Sequence, residues 1–305
     1  MPRHKLLVID GMALLFRAFY ATAPSGQYMF NEQGIPTNGV QGFLRHLLLA
    51  VQYIQPSHLA VCWDTGAKTF RHHLYEAYKA NRPAPPVELV PQFEMARRMA
   101  DALGAANLSM TGFEADDCIG TLSRLLSNQL DIRIVTGDRD LLQLLTPEVQ
   151  VNLLQKGYGN YRVYTATRFE EDMGISPAQF IDVKALMGDA SDGYPGVHGI
   201  GEKTALKLIQ RFGTIETLLH NLSEIPDGQR KKIETDQHIL QLSRRLAAIR
   251  CDLSLEFDIK DAIYNDIPDL FTQHVRDYGL KLVQVDLLRM RQADRLQSLH
   301  RPSLN

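Results

Sequence analysis

Apolar runs of strand length that stop on an aspartate recur along this chain. KLLVID (Lys5 to Asp10), HLAVCWD (His58 to Asp64) and IRIVTGD (Ile132 to Asp138) each read as a strand ending on an acid, and the third continues into Asp140. Strands are predicted at about 5–10, 58–63, 132–136 and 149–154, alternating with helical periodicity at about 39–54, 91–103 and 115–127. That alternation predicts an α/β fold built on a mainly parallel sheet. KGYGNYRVYT (Lys156 to Thr165) reads as a hairpin with a glycine turn. After Thr167 the pattern turns helical, through Pro177 to Met187, Glu202 to Phe212 and Arg230 to Ile249. A soft boundary is therefore placed near 166, with an α/β core at 1–166 and a mainly helical region at 167–305 packed on it. The polar stretch Arg289 to Asn305, dotted with arginines, is expected to fray.

The strand-end acids belong to a larger set of nine: Asp10, Asp64, Glu114, Asp116, Asp117, Asp138, Asp140, Asp189 and Asp192. The carboxyl ends of parallel strands form the edge where open α/β sheets bind ligands, so acids far apart in sequence are brought together there. GFEADD (Gly112 to Asp117) opens a helix and GDASDG (Gly188 to Gly193) follows one. Helix capping and the macrodipole could explain two or three of the nine. Gathered together, so many carboxylates would repel one another without cations. Hard oxygen donors suit Mg²⁺ or Mn²⁺, and a site this acidic suggests two ions roughly 3.5 to 4 Å apart serving phosphoryl transfer.

A basic and aromatic set follows the second strand: Lys68, Arg71, Tyr75, Tyr78, Lys79 and Arg82. From Arg71 to Arg82 the spacing is helical, and on spacing alone this is equally a solvated amphipathic helix. NRPAPPVELVP (Asn81 to Pro91) cannot continue a helix and should end it. Further on, GVHGIGEKTALKLIQRFG (Gly196 to Gly213) has a helix-hairpin-helix signature. Gly196, Gly199 and Gly201 permit tight backbone geometry, and the next helix offers free N–H groups to a phosphate, beside Lys203, Thr204 and Lys207. Such contacts position duplex DNA without reading its sequence.

Composition changes the picture little. The 305 residues, 45% hydrophobic and 22% charged, describe an ordinary soluble chain. Its net charge of −2 argues at first against a nucleic-acid partner, but leaving out the nine acids takes it to +7. Cys62, Cys118 and Cys251 lack metal or disulfide spacing, and Cys62 should be core. No secretory signal or membrane-length apolar run is present, so a cytoplasmic protein is expected. Trp63 reads as packing, His198 as exposed, and at most one of His72 and His73 can face a phosphate.

With LLVIDGMALLFRAFYA, VCWDTGAKTFRHHLYEAYKANRP, GFEADDCIGTL, VTGDRDLLQL and LMGDASDGYPGVHGIGEKTA in that order, the chain resembles the bacterial 5′-3′ exonuclease and flap-endonuclease family. That family includes the N-terminal 5′-nuclease domain of DNA polymerase I and standalone paralogues of the exonuclease IX type. The resemblance, from about Leu6 to about Leu255, implies a PIN-like sheet flanked by helices, a helical arch over the metals at about 68–91, and a helix-hairpin-helix DNA-binding region at about 186–213.

It further implies that one ion is held mainly by Asp10, Asp64, Glu114, Asp116 and Asp117, and the other by Asp138, Asp140, Asp189 and Asp192. All nine acids are present, where some standalone paralogues lack several. Lys79 and Arg82 would neutralise the scissile phosphate, Tyr78 would stack on a base or sugar, Arg71 would face DNA, and Arg17 and Phe19 would lie near the substrate or, equally, serve only a helix face. Potassium would sit on the hairpin carbonyls. Gly193, where the family commonly has Asn, would loosen the turn around Asp192.

The function implied is metal-dependent hydrolysis of DNA at a 5′ end or 5′ flap near a junction, by a monomer that meets any polymerase or ligase in trans. The alternatives are a non-catalytic junction binder, which missing acids would mark, and a small-molecule phosphohydrolase, which would need neither arch nor hairpin.

Overall fold

The computed structural model describes residues 3–23, 26 and 28–299. Its sheet is built from Lys5–Asp10 (β1), His58–Cys62 (β2), Ala106–Leu108 (β3), Asp131–Thr136 (β4), Val149–Leu154 (β5) and Tyr161–Tyr164 (β6), in the order β3-β2-β1-β4-β5-β6. The first five run parallel, and β6 returns antiparallel to β5 with Leu154 opposite Tyr161. The three-residue β3 was not legible, because so short a run has no period to read.

The N-terminal part carries the helices Gly11–Tyr20 (α1), Asn38–Ile54 (α2), Phe70–Leu74 (α3), Val90–Ala102 (α4) and Ala115–Leu126 (α5). Ala166–Met173 (α6), Phe180–Met187 (α7), Glu202–Phe212 (α8), Ile215–His220 (α9), Asp227–Thr235 (α10), Gln237–Ala247 (α11), Asp269–Asp277 (α12) and Lys281–Leu299 (α13) follow.

Alternation along β1 divides the interior in two. Leu6 and Val8 join Cys62, Ile132, Ile134 and the buried faces of α5, α7 and α8, whereas Leu7 and Ile9 join Leu59, Val61 and the faces of α2 and α4. Both faces of the central strands are covered, which is why these strands read as continuous apolar runs. The register pairs Ile9 with Val61 and with Val135, so β1, β2 and β4 end level and deliver their acids to one edge. Strand order reverses at β1, between β2 and β4, and the crevice at such a switch point is where this architecture takes its ligand.

The helix read for Arg71 to Arg82 is not realised. α3 ends at Leu74, Tyr75 is extended, and Lys79 takes a positive φ of 55° that no helix admits. Tertiary contacts described below win over the local spacing. The tail also differs from expectation. Beyond α11 the chain runs along α5, where Gly120 leaves room for Ile249 and Cys251, and the Tyr264 N–H donates to the Ser57 carbonyl at 2.9 Å. α12 and α13 then pack on α2 and α4, fastened by Arg45 to Asp286 at 2.6 Å. Helix α13 continues to Leu299 where fraying was expected, and residues 300–305 lie outside the described ones. Among the described residues no helix is long and apolar enough to cross a membrane. Cys62 is buried in the core, as read.

Candidate functional site

At the switch point the backbone itself sets the acids. Asp10 closes β1 and caps α1, accepting from the Ala13 N–H at 2.9 Å, and its second oxygen accepts from the Thr136 hydroxyl at 2.7 Å. Thr136 Oγ1 accepts from the Asp138 N–H (2.9 Å), and Asp138 Oδ1 from the Asp140 N–H (2.8 Å), so the turn after β4 is ordered around its own acids. Asp64, just past β2, accepts from the Ala115 N–H at the start of α5 (2.7 Å). These hydrogen bonds use the orphan donors of helix ends, yet they leave carboxylate oxygens facing a common space.

That space is a cavity of about 500 Å³ lined by Asp10, Asp64, Glu114, Asp116 and Asp138, with Lys79, Arg82, Arg17 and Phe16 also on its wall. Burial drives the electrostatics. It raises Asp10 to about 7 against the hydrogen bonds from Ala13 and Thr136, with Asp138 and Asp64 adding repulsion. Asp116 is raised well above the usual carboxylate range by burial, then by Asp138 and Asp10. Asp64 is raised by burial and, against its bond from Ala115, by Glu114. Burial and mutual repulsion thus oppose the charged forms of Asp10, Asp116 and Asp64, and a divalent cation would supply the compensating charge.

The donor chemistry, all hard carboxylate oxygen, fits Mg²⁺ or Mn²⁺. Among the described residues no three acidic, histidine or cysteine side chains are already closed to the spacing of a ligand shell. The acids stand apart on the cavity wall, and one of them, Glu114, is paired with a side-chain cation. Lys79 Nζ lies 2.8 Å from Glu114 and 3.9 Å from Asp192, and Arg82 lies 2.6 Å from Asp192. Burial opposes the charge on Lys79, but Glu114 and Asp192 outweigh it and raise its pKa.

Asp140, Asp189 and Asp192 are not among the residues lining the cavity. Asp140 and Asp189 meet over the buried ammonium of Lys184, which is 2.7 Å from Asp140 and hydrogen-bonded to Asp189. Burial raises Asp140 to about 6, with Asp138 adding to it and Lys184 opposing. For Asp189 burial acts upward, but Lys184 and Ser191 hold it down at about 2. Gly188, at φ 71°, and Gly196 pass so closely that a Cβ on Gly188 would lie 2.3 Å from the Gly196 nitrogen. Asp192 is fixed by Tyr78 (2.9 Å) as well as Arg82, so it is anchored although Gly193, at φ 70°, offers no side chain.

Five expectations are corrected. Asp117 is 0% exposed and receives two bonds from Arg71 (2.7 and 2.9 Å) and one each from the Glu114 and Arg250 N–H groups, so it faces the interior and not the cavity. Arg71, 2% exposed, also donates to the Leu246 and Ala248 carbonyls and is not available to DNA. Tyr78, 2% exposed, binds Glu114 and Asp192 through its hydroxyl and packs near Tyr194, leaving no face for a base. Phe19 is core, whereas Arg17 reaches the cavity. Asp138, placed with the second group, shares the cavity of the first.

The glycine hairpin forms a separate groove lined by Gly196, Gly199, Gly201 and Asp236. Lys203 and Lys207 are exposed on α8, Thr204 is half-buried, and His198 is exposed as read. Gly196 owes its identity to the close passage beside Gly188. Trp63 is packing, as read: its indole donates to Asn107 at 2.7 Å and lies against Gly11. His72 is tied to Thr69, and His73 is exposed. Sequence reasoning missed Thr136 and Lys184. A lone lysine in the apolar helical run FIDVKALM, five residues before an acid, was the available signal for the latter.

Solved proteins share this architecture. The T5 5′-exonuclease, solved with divalent zinc ions, superposes with a TM-score of 0.68 at 20% identity, covering 90% of this chain and 98% of its own. The catalytic core of Rad2 in complex with DNA gives 0.57 at 14% identity, over 91% and 87%. At these identities the likeness shows the fold alone.

The chain belongs to the 5′-3′ exonuclease family: its N-terminal resolvase-like domain matches residues 5–174 and its C-terminal SAM fold residues 175–269. A 5′-3′ exonuclease of Bacillus subtilis is 58% identical over 264 residues, 87% of this chain and 89% of that protein. DNA polymerase I of Bacillus caldotenax is 40% identical over 265 residues, 86% of this chain but 30% of the polymerase.

Proposed function

We propose that this chain is a metal-dependent 5′ nuclease that hydrolyses DNA phosphodiesters at 5′ ends or 5′ flaps beside a single-strand to double-strand junction, leaving 5′-phosphate products. The observation that carries the reading is the cavity that unites Asp10, Asp64, Glu114, Asp116 and Asp138 with Lys79 and Arg82. Mg²⁺, or Mn²⁺ in its place, would supply Lewis-acid charge for attack by water and for the departing 3′ oxygen.

The chain's own residues do the rest. The five cavity acids hold the cation, and we place Asp140, Asp189 and Asp192 around a second. Lys79 and Arg82 are released from Glu114 and Asp192 to neutralise the phosphate as its charge grows in the transition state. Gly199, Gly201, Lys203, Thr204 and Lys207 hold the duplex by its backbone. Potassium on the hairpin carbonyls, a monomeric state, a cytoplasmic setting and a polymerase or ligase acting in trans belong to the same proposal, supported by the likeness to bacterial DNA-processing enzymes.

Cleavage of end-labelled 5′-flap duplex, blunt duplex and single strand, each with Mg²⁺, Mn²⁺ or EDTA, tests it. Metal-dependent cutting near the junction is expected, and Asp138→Asn should abolish it while junction affinity persists. Tight junction binding without cutting in either metal would make the protein a binder, and full activity in Asp138→Asn would show the site to be misplaced.

A further inference from the structure

The cations that meet the acidic groups are held in two different ways. Lys79 and Arg82 lie on a segment outside any helix, and the Arg82 side chain is 51% exposed, so both can swing away when a metal or phosphate arrives. Lys184 cannot. It projects from α7, whose neighbours Val183, Ala185 and Leu186 are fully buried, and the helix packs against α8 and α11. A buried ammonium is costly without partners, and here it has two carboxylates, Asp140 and Asp189. One Asp189 oxygen is already taken by Ser191, and the Asp140 N–H is bonded to Asp138, whose carboxylate lines the cavity. Lys184 thus halves the negative charge of a pair that lies outside the lining of the main cavity.

We propose that Lys184 is a tethered counter-cation: it stands between Asp140 and Asp189 where a second divalent ion would otherwise be drawn. The free protein then holds one ion tightly in the cavity of Asp10, Asp64, Glu114, Asp116 and Asp138, and a second only weakly. Lys184 is a positioning residue in this scheme. The inference rests on the metal-dependent reading above and adds to it an unequal pair of ion affinities with a cause in this chain.

The test is a Mn²⁺ titration of the full chain without DNA, with free Mn²⁺ followed by electron paramagnetic resonance, for the wild type, Lys184→Met and Lys184→Arg. Melting temperatures are taken in the same buffer. One tight ion is expected for the wild type. In Lys184→Met the second ion should bind at least about tenfold more tightly, since a like charge within a few ångströms has been removed. Lys184→Arg, which keeps the charge, should stay near the wild-type curve.

A lysine that serves only the fold would lower the melting temperature of Lys184→Met and leave its Mn²⁺ curve unchanged, and that result overturns the proposal. Should Lys184→Met fail to fold, the wild-type count decides, because two equally tight ions overturn the proposal without any variant. Flap cleavage separates this inference from the one beneath it. A wild type that cuts DNA but binds two equal ions sinks only the role of Lys184, and one that binds a single tight ion but cannot cut sinks only the nuclease reading.

Discussion

Arg71 and Lys79 come from one short basic segment, and burial gives them opposite roles. Arg71 is locked to Asp117 and to two carbonyls from the end of α11, joining α3, α5 and the returning chain at one point. Arg71→Ala would leave the Asp117 carboxylate buried and uncompensated, so a loss of about 3 to 5 kcal/mol is expected, read as a shift of the urea midpoint. Lys79 instead faces the cavity. Lys79→Ala should lower turnover by about 10²- to 10³-fold with little change in DNA affinity, whereas equal losses in both would confine Lys79 to binding. The sequence could not separate these roles, nor those of Asp116 and Asp117. One step along a helix turns a side chain by roughly 100°, and here it carries the second acid from the cavity wall into the interior.

Elements were most legible where a period and a stop coincide. Each apolar strand that ends on an acid was found at its place because burial on both faces and the need of the next helix for a cap act on the same few residues. The segment after α3 shows the converse. Its helical spacing was genuine, yet Tyr78 buries its ring and Lys79 donates its N–H to the Asp192 carbonyl at 2.7 Å, contacts that no local pattern announces. The turn carrying Asp189 and Asp192 depends likewise on a distant strand of chain, through the close pass of Gly188 and Gly196. Gly188→Ala combines a positive φ with an impossible contact, so it should lower the melting temperature and cleavage together. Gly201→Ala, whose added methyl meets nothing within 4 Å, should keep the wild-type melting temperature.

Across the whole molecule, the least legible feature was the return of the C-terminal chain. No element was read beyond Ile249, and only the stretch from Arg289 was expected to fray, yet Phe271, Val275, Leu280, Val283 and Leu287 are buried among the residues of α2 and α4. Next to this contact His46 is buried on α2, its Nδ1 without a partner among the described residues. Burial, then Arg17 and Arg45, lowers its pKa from 6.5 to about 4. The unfolded chain therefore takes the proton more readily than the fold does. The contribution is fully present above pH 6.5 and is lost as pH falls toward 4, up to about 3 kcal/mol if the full shift is realised. In urea titrations from pH 7 to 4.5, His46→Leu should lose less stability than the wild type; parallel profiles would show that His46 titrates alike in both states.

Trp63 is the chain's only tryptophan. Its ring lies over Gly11, the residue after Asp10, and it directly precedes Asp64. Chance of composition has thus left a single native indole beside two of the cavity's carboxylates in sequence, excitable at wavelengths where the 11 tyrosines do not absorb. Its emission can report, without label or engineering, each time charge enters or leaves that cavity.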